Sequence, residues 1–150
     1  MKVTVEHVST GETEIIIKCQ QLDKEVQDLL NYLDETNDRM VATKEGETFL
    51  LQPNELYYVE SVDNKIFLYT KDNVLETKDS LAFLETRYTN SGLVRIGKSQ
   101  LVNLHQIKKL KSILNRRIEV TLESGDRLIV SRHYVPEFKT RLGIESRKER

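Results

Sequence analysis

A mostly β domain preceded by a small α/β unit is the fold that this sequence predicts. From residue 41 onward, short apolar stretches alternate with turn pairs such as Asp63-Asn64 and Ser124-Gly125, the pattern of a hairpin-rich sheet. Only three stretches of the chain carry a helical period instead. A chain of 150 residues can bury roughly two-thirds of its unfolded surface, so a core without disulfide or metal is feasible.

The elements follow in order. Val3 to Val8 alternates, Ser9-Thr10-Gly11-Glu12 is a polar turn, and Glu14 to Cys19 is a second strand rich in β-branched residues. Leu22, Val26, Leu29, Leu30 and Leu33 then make one apolar stripe on a helix over 22–35, with Asp23 and Glu25 in its first turn. Thr36-Asn37-Asp38-Arg39 reads as a linker. Residues 1–40 are thus a strand–strand–helix unit. Beyond it, strands are expected at Thr48–Gln52, Leu56–Val62, Lys65–Lys71 and Val74–Thr77. Leu81, Leu84 and Tyr88 mark a helix capped by Thr77, Asp79 or Ser80 and ended by Asn90-Ser91-Gly92. Leu93–Ile96 is a strand, Gly97-Lys98-Ser99 a basic break, and Leu101–Ile107 a strand passing into a helical turn. Lys108–Ile113 follows, Asn115-Arg116 turns the chain, and Ile118–Leu122 and Arg127–Val130 complete the strands. Val135, Phe138 and Leu142 form a last helix with Pro136 in its first turn and Gly143 at its end. The domain runs over 41–144, and 145–150 is a polar tail.

Composition narrows the function. The chain is 38% hydrophobic and 31% charged, with no apolar run long enough to span a membrane and no signal segment at its start. A cytoplasmic protein is the default expectation. The single cysteine, Cys19, excludes an internal disulfide and a cysteine zinc cluster, and in an apolar strand it reads as a buried, inert thiol. His7, His105 and His133 stand far apart, without a His-Glu-x-x-His pair or a Gly-rich phosphate loop. No catalytic site, metal, cofactor or small-molecule substrate is expected. The net charge of −1 hides a split: residues 1–90 hold 9 Lys and Arg against 18 Asp and Glu, residues 91–150 hold 14 against 6. A basic C-terminal part either folds back on the acidic part or meets phosphate.

The stretch 44–143 resembles the LytTR family of bacterial DNA-binding domains. An ordered series carries the resemblance. It runs from Leu56-Tyr57-Tyr58-Val59-Glu60-Ser61-Val62-Asp63-Asn64 through Ser80-Leu81-Ala82-Phe83-Leu84-Glu85 to Arg95-Ile96-Gly97-Lys98-Ser99. Leu101-Val102-Asn103-Leu104-His105-Gln106-Ile107 and Ser124-Gly125-Asp126-Arg127-Leu128-Ile129-Val130-Ser131-Arg132-His133-Tyr134 complete it. The short prefix, without a receiver domain, looks like the small stand-alone members. The resemblance implies a LytTR-like multi-stranded β domain that reads duplex DNA through loops rather than a recognition helix. The base-reading positions it implies are Asn64 and Lys65, Lys98, and Arg132, with Ser99 and Ser131 as phosphate-side donors. Many members carry His where Gly97 stands and an aromatic near Gln100, so the contact of that His is not carried over.

Chemistry agrees with these assignments. Lys98 follows glycine in a loop, and Arg132 stands before a helix N-terminus. Arg and Lys read guanine O6 and N7 in the major groove, and hydroxyls and helix N-termini suit phosphates. Lys65 is either a contact or a hairpin-tip lysine kept for solubility. Lys108 and Lys109, with Lys111, Arg116 and Arg117, are either phosphate contacts or the charged edge of a sheet. Tyr57, Tyr58 and Tyr69 are core or half-buried rather than base-stacking. Asn103 is structural, and Glu60 is expected to pair with a basic side chain. The reading is a sequence-specific transcription regulator, a homodimer formed through residues 1–40, bound to double-stranded DNA. The alternative is a protein-interaction module whose basic part docks an acidic partner.

Overall fold

The computed structural model describes residues 1–33 and 39–144. The expected linker lies outside the described residues except for Arg39, as does the tail 145–150. The chain divides into two units, Met1–Asp34 and Glu35–Arg150.

In the first unit, α1 (Lys24–Leu33) forms where the leucine period places it. Asp23 caps it, its Oδ1 accepting from the Val26 amide at 3.1 Å. The two strands expected at 3–8 and 14–19 are not formed, and Val3, Val5, Ile15 and Ile16 are exposed. β-Branched residues favour a pleated surface that is half buried by neighbours, and a hairpin without a covering layer is marginal. For the same reason Cys19 is exposed rather than buried.

The second unit holds β1 (Met40–Lys44), β2 (Glu47–Leu51), β3 (Tyr58–Val62), β4 (Lys65–Tyr69), β5 (Val74–Thr77) and α2 (Leu81–Arg87). After these come β6 (Leu93–Gly97), β7 (Gln100–Asn103), β8 (Ile107–Ile113), β9 (Arg117–Leu122), β10 (Arg127–Val130) and α3 (Val135–Leu142). β1 is an addition to the expected strands. Met40 and Ala42 face inward, and Glu45 and Gly46, at φ +52° and +82°, close its hairpin with β2. Of the three candidate caps for α2 it is Ser80 whose hydroxyl accepts from the Phe83 amide, at 3.0 Å.

The strands form a seven-stranded sheet, ordered β2-β1-β5-β4-β3-β7-β6, and a three-stranded sheet, β10-β9-β8. All pairings are antiparallel. Two cores result. Leu81, Leu84 and Tyr88 lie with Leu56, Val59, Leu68, Leu75, Leu93 and Leu101 in the first. In the second, Val94, Ile96 and Val102 meet Ile118, Val120, Leu122, Leu128 and Val130 of the small sheet, and Phe138 of α3. Leu93 and Leu101 serve one core while Val94 and Val102 serve the other. β6 and β7 are covered on both faces, which is why they read as apolar runs without alternation.

Asn103 joins these layers. It is fully buried, and its amide donates to the carbonyls of Leu56 at 2.9 Å and Pro53 at 3.4 Å while its Oδ1 accepts from the His105 amide at 3.0 Å. Gly92, at φ +104°, lies under this corner, and a Cβ there would stand 2.7 Å from His105 Cδ2.

Candidate nucleic-acid interface

Three loops far apart in sequence meet at one end of the second unit. The first is the β3–β4 turn, where Asp63 and Asn64 take φ of +52° and +65°. Two residues in this conformation match the twist of a hairpin, and Asp and Asn tolerate it better than bulkier side chains. Lys65 follows, exposed, opposite Val62.

The second is the β6–β7 turn. The register slips by one residue between Arg95 and Gly97, so a bulge precedes the exposed pair Lys98-Ser99. A bulge re-aims the strand that carries it. The Ser61 amide donates to the Ser99 carbonyl at 2.8 Å, continuing the β3–β7 pairing toward the Asp63-Asn64 tip. The third loop begins at Ser131, where β10 ends. Its amide and hydroxyl both donate to the Ile96 carbonyl, at 2.9 and 3.3 Å, and Arg132, exposed, opens the turn into α3. The hydroxyl hydrogen of Ser131 is thus on the backbone, and it holds Arg132 beside the Lys98 loop.

Lys108 and Lys109 lie elsewhere. Lys109 pairs with Thr121, which pairs with Arg127, whereas Ser131 follows Val130, which pairs with Ile118. At about 3.3 Å per residue the two lysines stand some 10 Å along the small sheet from the Ser131 end. The register instead brings Arg117 and the exposed Asn115-Arg116 turn to that end. The Asn115-Arg116 pair has φ of +65° and +60°. Its signal in the sequence is an Asn-Arg turn between two alternating strands.

Among the described residues, no hydrogen bond or ion pair holds the side-chain charge of Lys65, Lys98 or Arg132. Arg95, which the motif reading does not single out, is engaged instead. Its Nε and Nη2 meet Glu85 Oε1 of α2 at 3.1 and 3.0 Å, and its Nη1 donates to the Lys98 carbonyl at 2.8 Å. Among the described residues Glu60 has no basic partner, contrary to expectation. It accepts from the Tyr69 hydroxyl at 3.1 Å and the Gln100 amide at 3.2 Å. Tyr58 stacks on Tyr69 with ring centroids 4.1 Å apart. Burial first, then the charge of Asp126, push the Tyr58 phenol up to about 12. These half-buried rings stack on each other rather than standing open for bases.

A fold of two antiparallel sheets with loops gathered at one end thus accompanies a basic, unpaired set of side chains. A family model for the LytTr DNA-binding domain matches residues 46–143, and the chain belongs to the LytTR family. Its curated relatives include the sensory transduction protein LytT of Enterococcus faecalis, 25% identical over 67% of this chain and 41% of its own length. The transcriptional regulatory protein LytR of Staphylococcus aureus is 25% identical over 83% of this chain and 44% of its own length. The chain therefore spans about two-fifths of these relatives. The solved LytTr DNA-binding domain from Bacillus cereus superposes with a TM-score of 0.67 at 21% identity, covering 71% of this chain and 97% of that one. That likeness bears on the fold. The family is one of DNA-binding domains, not of enzymes. Among the described residues no helix is long and apolar enough to cross a membrane, which says nothing about a β-barrel.

Proposed function

We propose that this chain is a sequence-specific transcription regulator that reads the major groove of duplex DNA in the cytoplasm. Asn64, Lys65, Lys98 and Arg132 face base edges, Ser99 faces phosphate, and Ser131 fixes the loop that carries Arg132. The convergence of the three loops, made by the Ser61–Ser99 and Ser131–Ile96 hydrogen bonds, carries this reading. Lys108 and Lys109 are assigned to phosphates flanking the site, away from the base-reading end. The experiment is the affinity of the full chain for random-sequence duplex at several salt concentrations. A basic surface that neutralises several phosphates gives a log–log slope of about −0.9 per phosphate. Removing Lys109 as Lys109→Ala is expected to flatten that slope by about one. The absence of any duplex binding at low salt would favour the docking of an acidic protein instead.

Self-association through the first unit completes the proposal. Leu22, Leu30 and Leu33 of its apolar stripe are 65%, 43% and 38% exposed. Burying one large apolar side chain contributes about 1.5–3 kcal/mol, so a second copy covering this stripe makes a dimer. Light scattering on Leu30→Asp/Leu33→Asp is expected to give the monomer mass where the unaltered chain gives twice that. Equal masses would remove the first unit from the interface.

A further inference from the structure

The β6–β7 turn does not hold its shape by pairing alone. It spans only Lys98 and Ser99, and it follows a bulge that interrupts the ladder beside it. A bulged strand bends and leaves part of its backbone unpaired. The Lys98 carbonyl is taken up by a side chain: Arg95 donates Nη1 to it at 2.8 Å. The rest of the same planar fork is fixed by Glu85, through Nε at 3.1 Å and Nη2 at 3.0 Å. Arg95 is largely buried, at 18% side-chain exposure, so it is not itself placed to meet DNA. Glu85 stands on α2, whose Leu81 and Leu84 are buried in the first core. A continuous line of contacts thus runs from a core helix through one guanidinium to the peptide that carries Lys98.

We infer that Arg95 and Glu85 are positioning residues for base recognition, holding the Lys98 peptide in the orientation that presents the Lys98 ammonium to the groove. This rests on the proposed role of Lys98. A contact to a base edge tolerates little displacement, whereas phosphate attraction falls off slowly with distance. Loosening this turn therefore erodes discrimination between sequences and leaves general affinity in place. Arginine is required because its fork offers N–H donors in fixed directions to two partners. A lysine keeps the charge but is a single point donor.

The test uses the full chain, a duplex selected by that chain from a random pool, and a scrambled duplex of equal length. Arg95→Lys is expected to reduce the ratio of the two affinities by about tenfold, within the range of one base contact, with the salt slope on scrambled duplex unchanged. In a Lys98→Ala background the same substitution is expected to add nothing, because both act through one contact. Amide relaxation of the DNA-free chain is expected to show greater mobility at Lys98 and Ser99 in Arg95→Lys. Glu85→Gln is expected to shift both readouts in the same direction, more weakly. Unchanged mobility at these two amides overturns the inference whatever the DNA does. So does full discrimination by Arg95→Lys while Lys98→Ala loses it. If Lys98→Ala itself keeps full discrimination, the reading of Lys98 fails and takes the inference with it.

Discussion

Replacing Lys98 or Arg132 by alanine is expected to cost most of the preference for a selected duplex while the fold stays intact. Both side chains are exposed at the meeting loops, and among the described residues neither charge is held by a partner. Their removal leaves no buried group unsatisfied, so thermal midpoints stay close to that of the unaltered chain. Each base contact contributes about 1–3 kcal/mol of discrimination, or roughly 5- to 150-fold. The two sit on different loops, and their effects are expected to add in the double variant. The measurement is affinity for selected and scrambled duplex at several salts. Discrimination equal to that of the unaltered chain in both single variants would falsify the assignment of these loops to base reading.

The largest loss of stability is expected from Asn103→Ala. The amide bonds the Leu56 and Pro53 carbonyls and the His105 amide from a fully buried position. Alanine leaves these backbone groups without their partner in a site that excludes water, at about 1–3 kcal/mol for a buried group so stranded. A total near 3 kcal/mol lowers the midpoint by about 10–20 °C in a domain of this size. Asn103→Asp is expected to do comparable harm, because a carboxylate only accepts and two of the three bonds need a donor. Differential scanning calorimetry reads both. A shift of a degree or two would mean that the corner relaxes and that other groups satisfy its backbone.

Much of the second unit is legible in the residues. The Asp63-Asn64 turn is local chemistry, and so are the apolar alternation of β9, the early proline of α3 and the αL glycine that ends it. Each is decided within a few residues by backbone sterics and side-chain period. The first unit shows the limit of that reasoning. Val3 to Val8 and Glu14 to Cys19 have strand composition, yet they form no strand. A strand is completed by a neighbour that composition does not supply. β1 failed in the other direction: its five residues carry little signal alone, and its place comes from pairing with β2 and β5.

The candidate site divides along the same line. The ordered LytTR motifs mark Asn64, Lys65, Lys98, Ser99, Ser131 and Arg132 along the chain, so the loops that carry these polar side chains are readable from the residues alone. For Lys108 and Lys109 the residues left two readings open, a charged sheet edge or phosphate contacts, and the structure places both in β8. Which of these residues share a surface depends on strand register and on how the two sheets pack. Strand register places Lys109 away from the Ser131 end and brings Arg116 and Arg117 toward it. The bulge before Gly97 and the Arg95 fork set the Lys98 turn through a helix ten residues earlier in the chain. Periodicity is a property of neighbours along the chain, whereas a binding surface is assembled by hydrogen bonds between segments that only the closed fold brings within reach.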